Sequence, residues 1–464
     1  MSQNMPSQAL NRPDTGGEFY FPARGEPLAL KRPELGCQIL RIGLDDTDSA
    51  TMGMCTTFLA SRLIEELQAS KLVEGFYDYP YLVRLNPTVP NKTRGNGALV
   101  VNAWARPGRE EEVFDLVCRT VSKYSVLGDE MTHPGVSLMV GSAASEKLRL
   151  LYNLCLHRIV SKDVVIKVAA SCGLWVHGWK KGLGIIGATA ALGADLEEDR
   201  TFEVISYRHP SDRSRKRNID EEAVVRMDRE IDGTFFNYDY ENHKVCITPA
   251  SPCPVFFGVR GESPESVLKA LRFLDPSGSK MAVIFKTNQH TDAHIEAAPS
   301  LSSIRPFSSV VVTGKVSSKP RTVAGGHVIF SLRDETSEVD CAAYEPTKGF
   351  RRWIRQLMPG DLVTVWGSVR REAGRRLTVN LEKIRVLSLV QSVEVNPTCP
   401  VCGSSMESMG RGKGFRCRRR ECRYADAGLQ KVKRRVERKL DQGFYEPPPV
   451  AWRHLYMPLT RMSR

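Results

Sequence analysis

The stretch RIGLDDTDSATMGMCTTFLASRLIEEL, Arg41–Leu67, decides the fold of the first part of the chain. It begins inside an apolar run, Cys37–Leu44, that predicts a buried strand, and its second half carries apolar residues at helical spacing. Three carboxylates, Asp45, Asp46 and Asp48, lie between the two elements. The sequence therefore predicts an acidic turn where a strand ends and a helix begins.

A single aspartate at such a turn needs no function, because Asp and Ser cap turns and helices. Thr56 or Thr57 is a natural N-cap for the helix that follows. Three carboxylates repel one another unless a cation lies among them, and Mg²⁺ binds carboxylate and phosphate oxygens. Helix N–H groups attract phosphates. We therefore predict that Asp45, Asp46 and Asp48 bind Mg²⁺ beside a nucleoside triphosphate.

Basic residues for the phosphates come from the loop NPTVPNKTRGNGA, Asn86–Ala98. Its glycines allow backbone N–H groups to approach an anion. The residues predicted to contact ATP phosphates are Lys92, Arg94, Gly95 and Gly97. A decorated surface turn is the alternative. The stretch Lys180–Gly193 is a weaker phosphate candidate, since close helix packing explains its glycines equally well. No Walker-type loop and no protein-kinase motif set occurs in the sequence, which excludes the common ATP-binding folds.

Strands and helices alternate again over residues 174–296, which predicts a ferredoxin-like layer of two helices on one sheet. Polar residues beside its strands are weak candidates for substrate binding: Arg208, His209, Asp239 and Tyr240.

Residues 308–392 alternate at period two between Gly-rich turns, with one short helix, and this pattern predicts an OB-fold barrel. Such barrels bind single-stranded nucleic acid with aromatic and cationic side chains. Phe330, Tyr344 and Trp366 are the aromatic candidates, and a position in the barrel core is the alternative for each.

Four cysteines near the C-terminus have the spacing C-x2-C-x14-C-x4-C: Cys399, Cys402, Cys417 and Cys422. Two knuckles with four thiolates form a closed tetrahedral shell, so the spacing predicts structural rather than catalytic zinc. The other eight cysteines are scattered singly, which fits a reducing compartment. No apolar run approaches the length of a membrane span, and the N-terminus lacks an apolar signal core, so we expect a cytoplasmic protein.

The 464-residue chain carries a net charge of +13, and most of it is concentrated at one end. Residues Arg411–Arg464 contain sixteen Lys and Arg against five Asp and Glu, so the remainder is close to neutral. This concentration predicts a polyanionic partner, with a solvated basic tail as the alternative. The sequence gives no indication of the oligomeric state.

Several of these motifs, in this order, resemble the archaeal agmatidine synthase family, the tRNA-isoleucine 2-agmatinylcytidine synthetases. The resemblance rests on IGLDDTDSATMGMCTT, YLVRLNPTVPNKTRGNGA, YRHP and FNYDYEN, followed by an OB-like segment and the four cysteines. It runs from about Gln38 to beyond Cys422.

The resemblance implies a multidomain α/β and all-β protein. The implied domains are a kinase-like ATP-dependent α/β catalytic domain (37–173), a ferredoxin-like α+β domain (174–296), an OB-fold nucleic-acid-binding domain (308–392) and a zinc ribbon (396–427). The two ends lie outside the resemblance, and their composition predicts a disordered tail (residues 1–36) and a basic C-terminal tail (428–464).

The resemblance also implies a reaction, in which agmatine replaces the C2 oxygen of the wobble cytidine in isoleucine tRNA with a CAU anticodon. ATP is consumed to AMP, and the modified tRNA reads AUA instead of AUG. A threonine after the acidic motif is autophosphorylated in the family, and Thr56 is the matching residue. Two alternatives stay open: a single-stranded nucleic-acid-binding protein without catalysis, and an ATP-dependent tRNA enzyme that uses another amine.

Overall fold

The structure is a computed structural model that describes residues 18–21, 26–30, 36–90, 92–208, 216–274, 279–371, 374 and 376–462. These residues form two compact units. The first consists of the described residues within Met1–Glu296, Phe307–Ser309 and Pro448–Arg464, and the second of those within Ala297–Pro306 and Val310–Pro447.

The strands of the first unit are β1 (Glu18–Phe21), β2 (Glu26–Ala29), β3 (Gln38–Asp45), β4 (Gly75–Phe76), β5 (Tyr81–Arg84), β6 (Gly97–Ala105), β7 (Gly135–Val140), β8 (Trp175–Gly178), β9 (Thr201–Arg208), β10 (Thr234–Phe235), β11 (Tyr238–Asp239), β12 (Lys244–Val245), β13 (Val255–Gly261) and β14 (Ser279–Thr287); β15 (Glu296–Ala297) follows. Its helices are α1 (Thr56–Ser70), α2 (Glu110–Tyr124), α3 (Glu146–His157), α4 (Lys162–Ser171), α5 (Gly184–Leu192), α6 (Glu221–Glu230) and α7 (Pro264–Phe273).

One ten-stranded sheet runs through this unit in the order β10-β13-β9-β14-β5-β6-β3-β7-β8, and β4 pairs with β6. Successive residues of β6 alternate between two apolar clusters, so both faces of the sheet are covered. Val101 packs in the cluster that contains α1 and α2, while Val100 packs in the cluster that contains α3, α4 and α5. Such two-sided burial explains why β3 reads as a nearly continuous apolar run.

The strand and helix predicted around the acidic turn are confirmed as β3 and α1. The predicted N-cap is wrong by one residue. Cys55 occupies the N-cap with extended backbone and makes no side-chain cap hydrogen bond, while Thr56 and Thr57 are the first two residues of the helix.

The two α/β segments predicted as separate domains share the same sheet. Strand β14 pairs in parallel with β5 and antiparallel with β9, and thereby joins the segments into one layer. Strand β8 pairs with β7, although Trp175–Gly178 falls beyond the predicted boundary at residue 173. Hydrogen bonding between strands far apart in sequence decides such boundaries, and no local pattern reports it.

The structure describes little of the predicted N-terminal tail and nearly all of the predicted C-terminal tail. Strands β1 and β2 form an antiparallel hairpin within the predicted tail of residues 1–36, and most of that range lies outside the described residues. Residues 448–462 belong to the first unit and end in helix α9 (Leu459–Met462). Leu455 and Tyr456 are fully buried there, so this part of the predicted basic tail is a packed segment.

The second unit contains β16 (Ser309–Val316), β17 (Arg321–Thr322), β18 (Val328–Arg333), β19 (Glu338–Ala343), β20 (Leu362–Arg371), β21 (Leu377–Ser388), β22 (Ser392–Val395), β23 (Met406–Ser408), β24 (Phe415–Cys417), β25 (Ala425–Asp426), β26 (Val432–Arg435), β27 (Gly443–Tyr445) and helix α8 (Phe350–Ile354). Pairing follows the order β16-β20-β21-β19-β18, and β16 also pairs with β18, which closes a five-stranded barrel. The parallel pairing of β19 with β21 completes the OB topology predicted from the sequence.

Candidate active site

A cavity of about 680 Å³ in the first unit is lined by all eight residues that the sequence predicts to bind Mg²⁺ or ATP or to accept a phosphoryl group. Its lining includes the acidic turn and the basic loop, which are far apart in sequence but join through the pairing of β5 with β6 and of β6 with β3. The predicted residues in this wall are Asp45, Asp46, Asp48, Thr56, Lys92, Arg94, Gly95 and Gly97.

The acidic turn has an unusual backbone. Asp46 adopts a φ of 57°, a left-handed conformation that is uncommon for residues other than glycine. Its N–H donates to Oδ1 of Asp45 over 2.7 Å, and its own Oδ2 accepts from the backbone N–H of His133 over 3.0 Å. These bonds fix the direction of both carboxylates.

Helix α5 presses its glycines against this turn. A Cβ atom on Gly187 would lie 1.9 Å from Oδ2 of Asp45, and one on Gly184 would lie 2.5 Å from the Asp45 carbonyl oxygen. Only glycine allows so close an approach. The sequence left Lys180–Gly193 open as a phosphate-binding turn or a site of close helix packing. The structure shows that its glycines pack against the strand that carries the aspartates.

The carboxylates are held where ionisation is costly. Burial, followed by repulsion from Asp46, raises the pKa of Asp45 well above its usual value. Burial also raises the pKa of Asp46 to about 6, with repulsion from Asp48 adding to the effect. Burial raises the pKa of Asp48, and the Arg94 guanidinium opposes that rise. Acidic groups whose charged forms are disfavoured by desolvation and by one another are suited to binding a cation.

The three aspartates do not converge on one point. Among the described residues, only the four ribbon cysteines form a group of three or more His, Cys, Asp or Glu side chains whose ligand atoms all lie within 4.8 Å. Asp48 instead contacts Nη2 of Arg94 at 3.3 Å. Mg²⁺ in nucleotide sites keeps several waters and uses one or two carboxylates plus the phosphates, so the cavity carboxylates of Asp45 and Asp46 fit that ion.

The basic loop supports the acidic turn directly. Nη2 of Arg94 donates to the carbonyl oxygens of Ser49 and Met54, over 2.9 and 2.7 Å, as well as contacting Asp48. Nζ of Lys92 donates to the Val89 carbonyl over 2.7 Å. Arg94 therefore fastens the chain between the aspartates and α1, a role that the sequence pattern does not distinguish from phosphate contact.

Sequence reasoning missed several charged residues in the cavity wall, among them Arg84, Glu203 and Arg260. Nη2 of Arg260 pairs with Glu203 at 3.0 Å. The Nε atoms of Arg84 and Arg260 are buried without a hydrogen-bond partner among the described residues. Burial lowers the pKa of Arg84 to about 10. Incompletely satisfied buried guanidinium groups in a cavity wall are suited to an anion. Their positions inside apolar strands gave no signal in the sequence.

The hydroxyl of Thr56 lies at the start of α1 on the cavity wall and accepts a hydrogen bond from Oγ1 of Thr47 at 3.2 Å. Backbone N–H groups at a helix N-terminus attract a phosphate group, so Thr56 lies where one could bind.

The weak substrate candidates lie elsewhere. Arg208 is buried at the end of β9 and donates to the Cys253 carbonyl over 2.7 Å, and it is absent from the cavity lining. Asp239 is fully buried and binds the Asn242 side chain in a turn. Tyr240 is exposed and donates to Asp228 over 2.7 Å. His209 lies outside the described residues.

In the second unit the four cysteines form one cluster. The Sγ atoms of Cys399 and Cys422 lie 3.6 Å apart, and those of Cys402 and Cys417 lie 3.4 Å apart. A tetrahedral zinc thiolate site with Zn–S bonds of about 2.3 Å has sulfur atoms about 3.8 Å apart, so the cluster fits zinc. All four positions are filled by sulfur, which favours a structural site.

The three aromatic candidates of the barrel differ in burial. Phe330 is 1% exposed and belongs to the barrel core, so the alternative given for it, a core position, applies. Tyr344 is partly buried beside His327, with ring centroids 5.0 Å apart. Trp366 is also partly buried and packs at 5.7 Å on Phe444, which the Arg385 guanidinium covers. Alternation along β20 explains the difference, because Trp366 points away from the core that its neighbours Val363 and Val365 fill.

No helix in the described part of the chain combines the length and the apolar composition that crossing a bilayer requires.

Family models match most of the chain. Residues 41–181 match the TiaS TCKD domain, and 182–294 match the TiaS FLD domain. Residues 310–387 match an OB-fold nucleic acid binding domain, and 396–440 match the TiaS C-terminal zinc ribbon domain.

Among curated relatives, the isoleucine-tRNA 2-agmatinylcytidine synthetase TiaS of Archaeoglobus fulgidus is 42% identical over 427 residues, covering 91% of this chain and 97% of the relative. The protein of the same name from Methanocaldococcus jannaschii is 40% identical over 425 residues, covering 90% of this chain and 97% of the relative.

Solved structures agree with this assignment. The crystal structure of TiaS in complex with isoleucine tRNA and ATP aligns with a TM-score of 0.81 and 39% identity over 92% of this chain and 98% of that chain. The complex of TiaS with isoleucine tRNA, AMPCPP and agmatine aligns with a TM-score of 0.80 and 36% identity over the same shares. Three TiaS family models match this chain, and relatives at least 40% identical align with 90% or more of it, so the chain belongs to the isoleucine-tRNA 2-agmatinylcytidine synthetase (TiaS) family.

Proposed function

We propose that this protein is an ATP-dependent ligase that replaces the C2 oxygen of the wobble cytidine in CAU-anticodon isoleucine tRNA with agmatine. The product, 2-agmatinylcytidine, switches decoding from AUG to AUA. The observation that carries the proposal is one cavity that unites the acidic turn with the basic loop in a chain of this family. Two related structures are complexes with isoleucine tRNA, one with ATP and the other with AMPCPP and agmatine. They support the same three partners for this protein.

The chemistry explains why such a cavity is needed. The C2 oxygen of cytosine is a poor leaving group, because it is the carbonyl oxygen of a urea-like unit. Transfer of the terminal phosphoryl group of ATP to that oxygen leaves ADP and lets the oxygen depart as inorganic phosphate. Hydrolysis of the ADP by water to AMP and a second inorganic phosphate accounts for the AMP that the resemblance implies. The agmatine amine attacks C2 and gives up a proton as the C–N bond forms and the C–O bond breaks. The base must leave its stack to reach the cavity, as in other enzymes that act on a base.

The residues have distinct roles in this proposal. Asp45 and Asp46 would hold Mg²⁺, which neutralises the charge on the phosphates. Asp48 and Arg94 keep the acidic turn in place through their contact. Lys92, Gly95 and Gly97 would contact the phosphates, and the Thr56 hydroxyl, which lines the same cavity, is the proposed phosphoryl acceptor for autophosphorylation.

At the level of domains, we propose that residues 37–173 form a kinase-like catalytic domain and residues 174–296 a ferredoxin-like domain. Separate family models over residues 41–181 and 182–294 support this division. The barrel and ribbon would bind tRNA. Strand β26 supports this, because it exposes three basic side chains that can contact phosphates: Lys433, Arg434 and Arg435.

Mass spectrometry of digested nucleosides tests the proposal. CAU-anticodon isoleucine tRNA is incubated with the protein, ATP and agmatine, and parallel reactions omit ATP or replace agmatine by lysine. We expect 2-agmatinylcytidine only in the complete reaction. A lysine adduct would identify an enzyme that uses another amine. Tight tRNA binding without any modified nucleoside would identify a binding protein instead.

A further inference from the structure

The C-terminal segment Pro448–Met462 contributes a residue to the cavity although it is hundreds of residues distant in sequence from the rest of the site. His454 lines the cavity beside the phosphate loop, defined here as residues 92–97. A Cβ atom on Gly95 would lie 2.3 Å from Cδ2 and 2.6 Å from Nε2 of His454. The imidazole therefore lies directly against the backbone of the phosphate loop.

The segment that carries His454 is firmly docked in the first unit. The backbone N–H of His290 donates to the His454 carbonyl over 2.8 Å, and that of Asp292 donates to the Leu455 carbonyl over 2.8 Å. Trp452 stacks on Phe236 at 5.8 Å with an interplanar angle of 21°.

At the far end, Arg461 pairs with Glu262 at 3.0 Å and with Asp199 at 2.7 Å. The position of the imidazole is thus fixed from both sides.

His454 also connects to the charged wall of the cavity. Its Nδ1 lies 3.0 Å from Oε1 of Gln289, so a neutral ring with the proton on Nδ1 donates there. Gln289 in turn donates through Nε2 to Glu203, the partner of Arg260. Burial, and then the charges of Arg84 and Arg260, lower the pKa of His454 well below its usual value. A neutral ring leaves Nε2, on the side of Gly95, without a proton.

We propose that His454 is a positioning residue that holds the phosphate loop against the bound nucleotide, so that docking of the C-terminal segment is a condition for tight ATP binding. This inference rests on the proposed function, since it assigns ATP to the same cavity. His454 makes two contacts that substitutions can separate. One edge of its ring packs on Gly95, and Nδ1 on the other side bonds to Gln289. In His454→Asn the amide takes the place of Nδ1 and keeps only the bond to Gln289. In His454→Gln the amide reaches the position of Nε2 and keeps the contact with Gly95.

The test uses full-length His454→Ala, His454→Asn and His454→Gln variants, with Thr460→Ala as a control at an exposed position of the same segment. Calorimetry measures the Kd for a non-hydrolysable ATP analogue with Mg²⁺. Melting temperature and the Kd for the tRNA are measured in parallel.

We expect the Ala and Asn variants to bind the analogue roughly tenfold more weakly. The Gln variant should recover most of the affinity, and all four variants should retain tRNA binding. Wild-type affinity for the analogue in the Ala and Asn variants would overturn the proposal. Equal loss in all three His454 variants together with a lowered melting temperature would also overturn it, since a purely structural role predicts that result.

Failure of the proposed function gives a different result. A wild-type chain that binds the analogue but forms no 2-agmatinylcytidine overturns the proposed reaction alone, and the Kd values still decide the role of His454.

Discussion

Because Gly187 lies so close to Asp45, we expect Gly187→Ala to lower catalytic activity strongly while lowering stability only slightly. In Gly187→Ala the new methyl group would lie 1.9 Å from Oδ2 of Asp45. Cγ of Asp45 would lie 2.7 Å from the methyl group, so relief requires rotation about the Cα–Cβ bond, which moves the whole carboxylate. Overpacking of this kind costs about 1–3 kcal/mol. Alanine in the interior of a helix recovers about 1 kcal/mol relative to glycine. We therefore expect a net loss of stability of roughly 0–2 kcal/mol.

The effect on catalysis should be much larger. Rotation of the Asp45 carboxylate moves a proposed metal ligand by more than an ångström, and a misplacement of about 1 Å can cost a hundredfold in rate. The assay follows agmatine incorporation into tRNA under conditions of kcat/KM, together with urea unfolding monitored by circular dichroism. We expect about a hundredfold loss of kcat/KM.

Gly43→Ala is the matched control, because it lies at the same contact between β3 and α5. Its Cβ would lie 2.1 Å from the backbone oxygen of Ala188, which cannot rotate away. We expect this variant to lose more stability than Gly187→Ala, at the upper end of about 3 kcal/mol. Full activity in Gly187→Ala would refute the reasoning, because it would show that the position of the Asp45 carboxylate does not matter.

Three further predictions concern other parts of the chain. Asp46→Asn should abolish agmatine incorporation while filter binding detects unchanged tRNA affinity; retained turnover would argue for chemistry without this carboxylate. Cys417→Ser should lower the zinc content measured by atomic absorption and weaken tRNA binding, and a full zinc complement would contradict the four-thiolate site. Arg438→Ala removes one partner of a buried ion pair with Asp361 and should destabilise the protein by about 3–5 kcal/mol in denaturant unfolding. Arg333→Ala removes the exposed partner of a pair with the half-buried Glu338 and should cost only about 0–1 kcal/mol; equal costs would contradict the burial argument.

Local patterns predicted the parts of this fold that local physics determines. The strand and helix around the acidic turn follow from apolar periodicity, and the ribbon follows from cysteine spacing, because each signal lies within about 25 residues. The continuous sheet does not, since the pairing of β14 with β5 joins residues more than 200 positions apart. His454 and Arg84 reach the cavity through such long-range contacts. A histidine in a basic tail and an arginine in an apolar strand carry no sequence signal of that destination.

The acidic turn combines several features that lower stability within a few residues. Asp46 has a left-handed backbone, and burial raises the pKa of both Asp45 and Asp46. Each feature is unfavourable in the absence of a ligand, and such features persist where the surrounding structure enforces them and function needs them. The enforcing elements here are Gly187, Arg94 and the backbone of His133, which hold the turn from three directions. A cation would relieve the repulsion between the carboxylates, so binding of Mg·ATP should stabilise the first unit more than its contact area alone predicts.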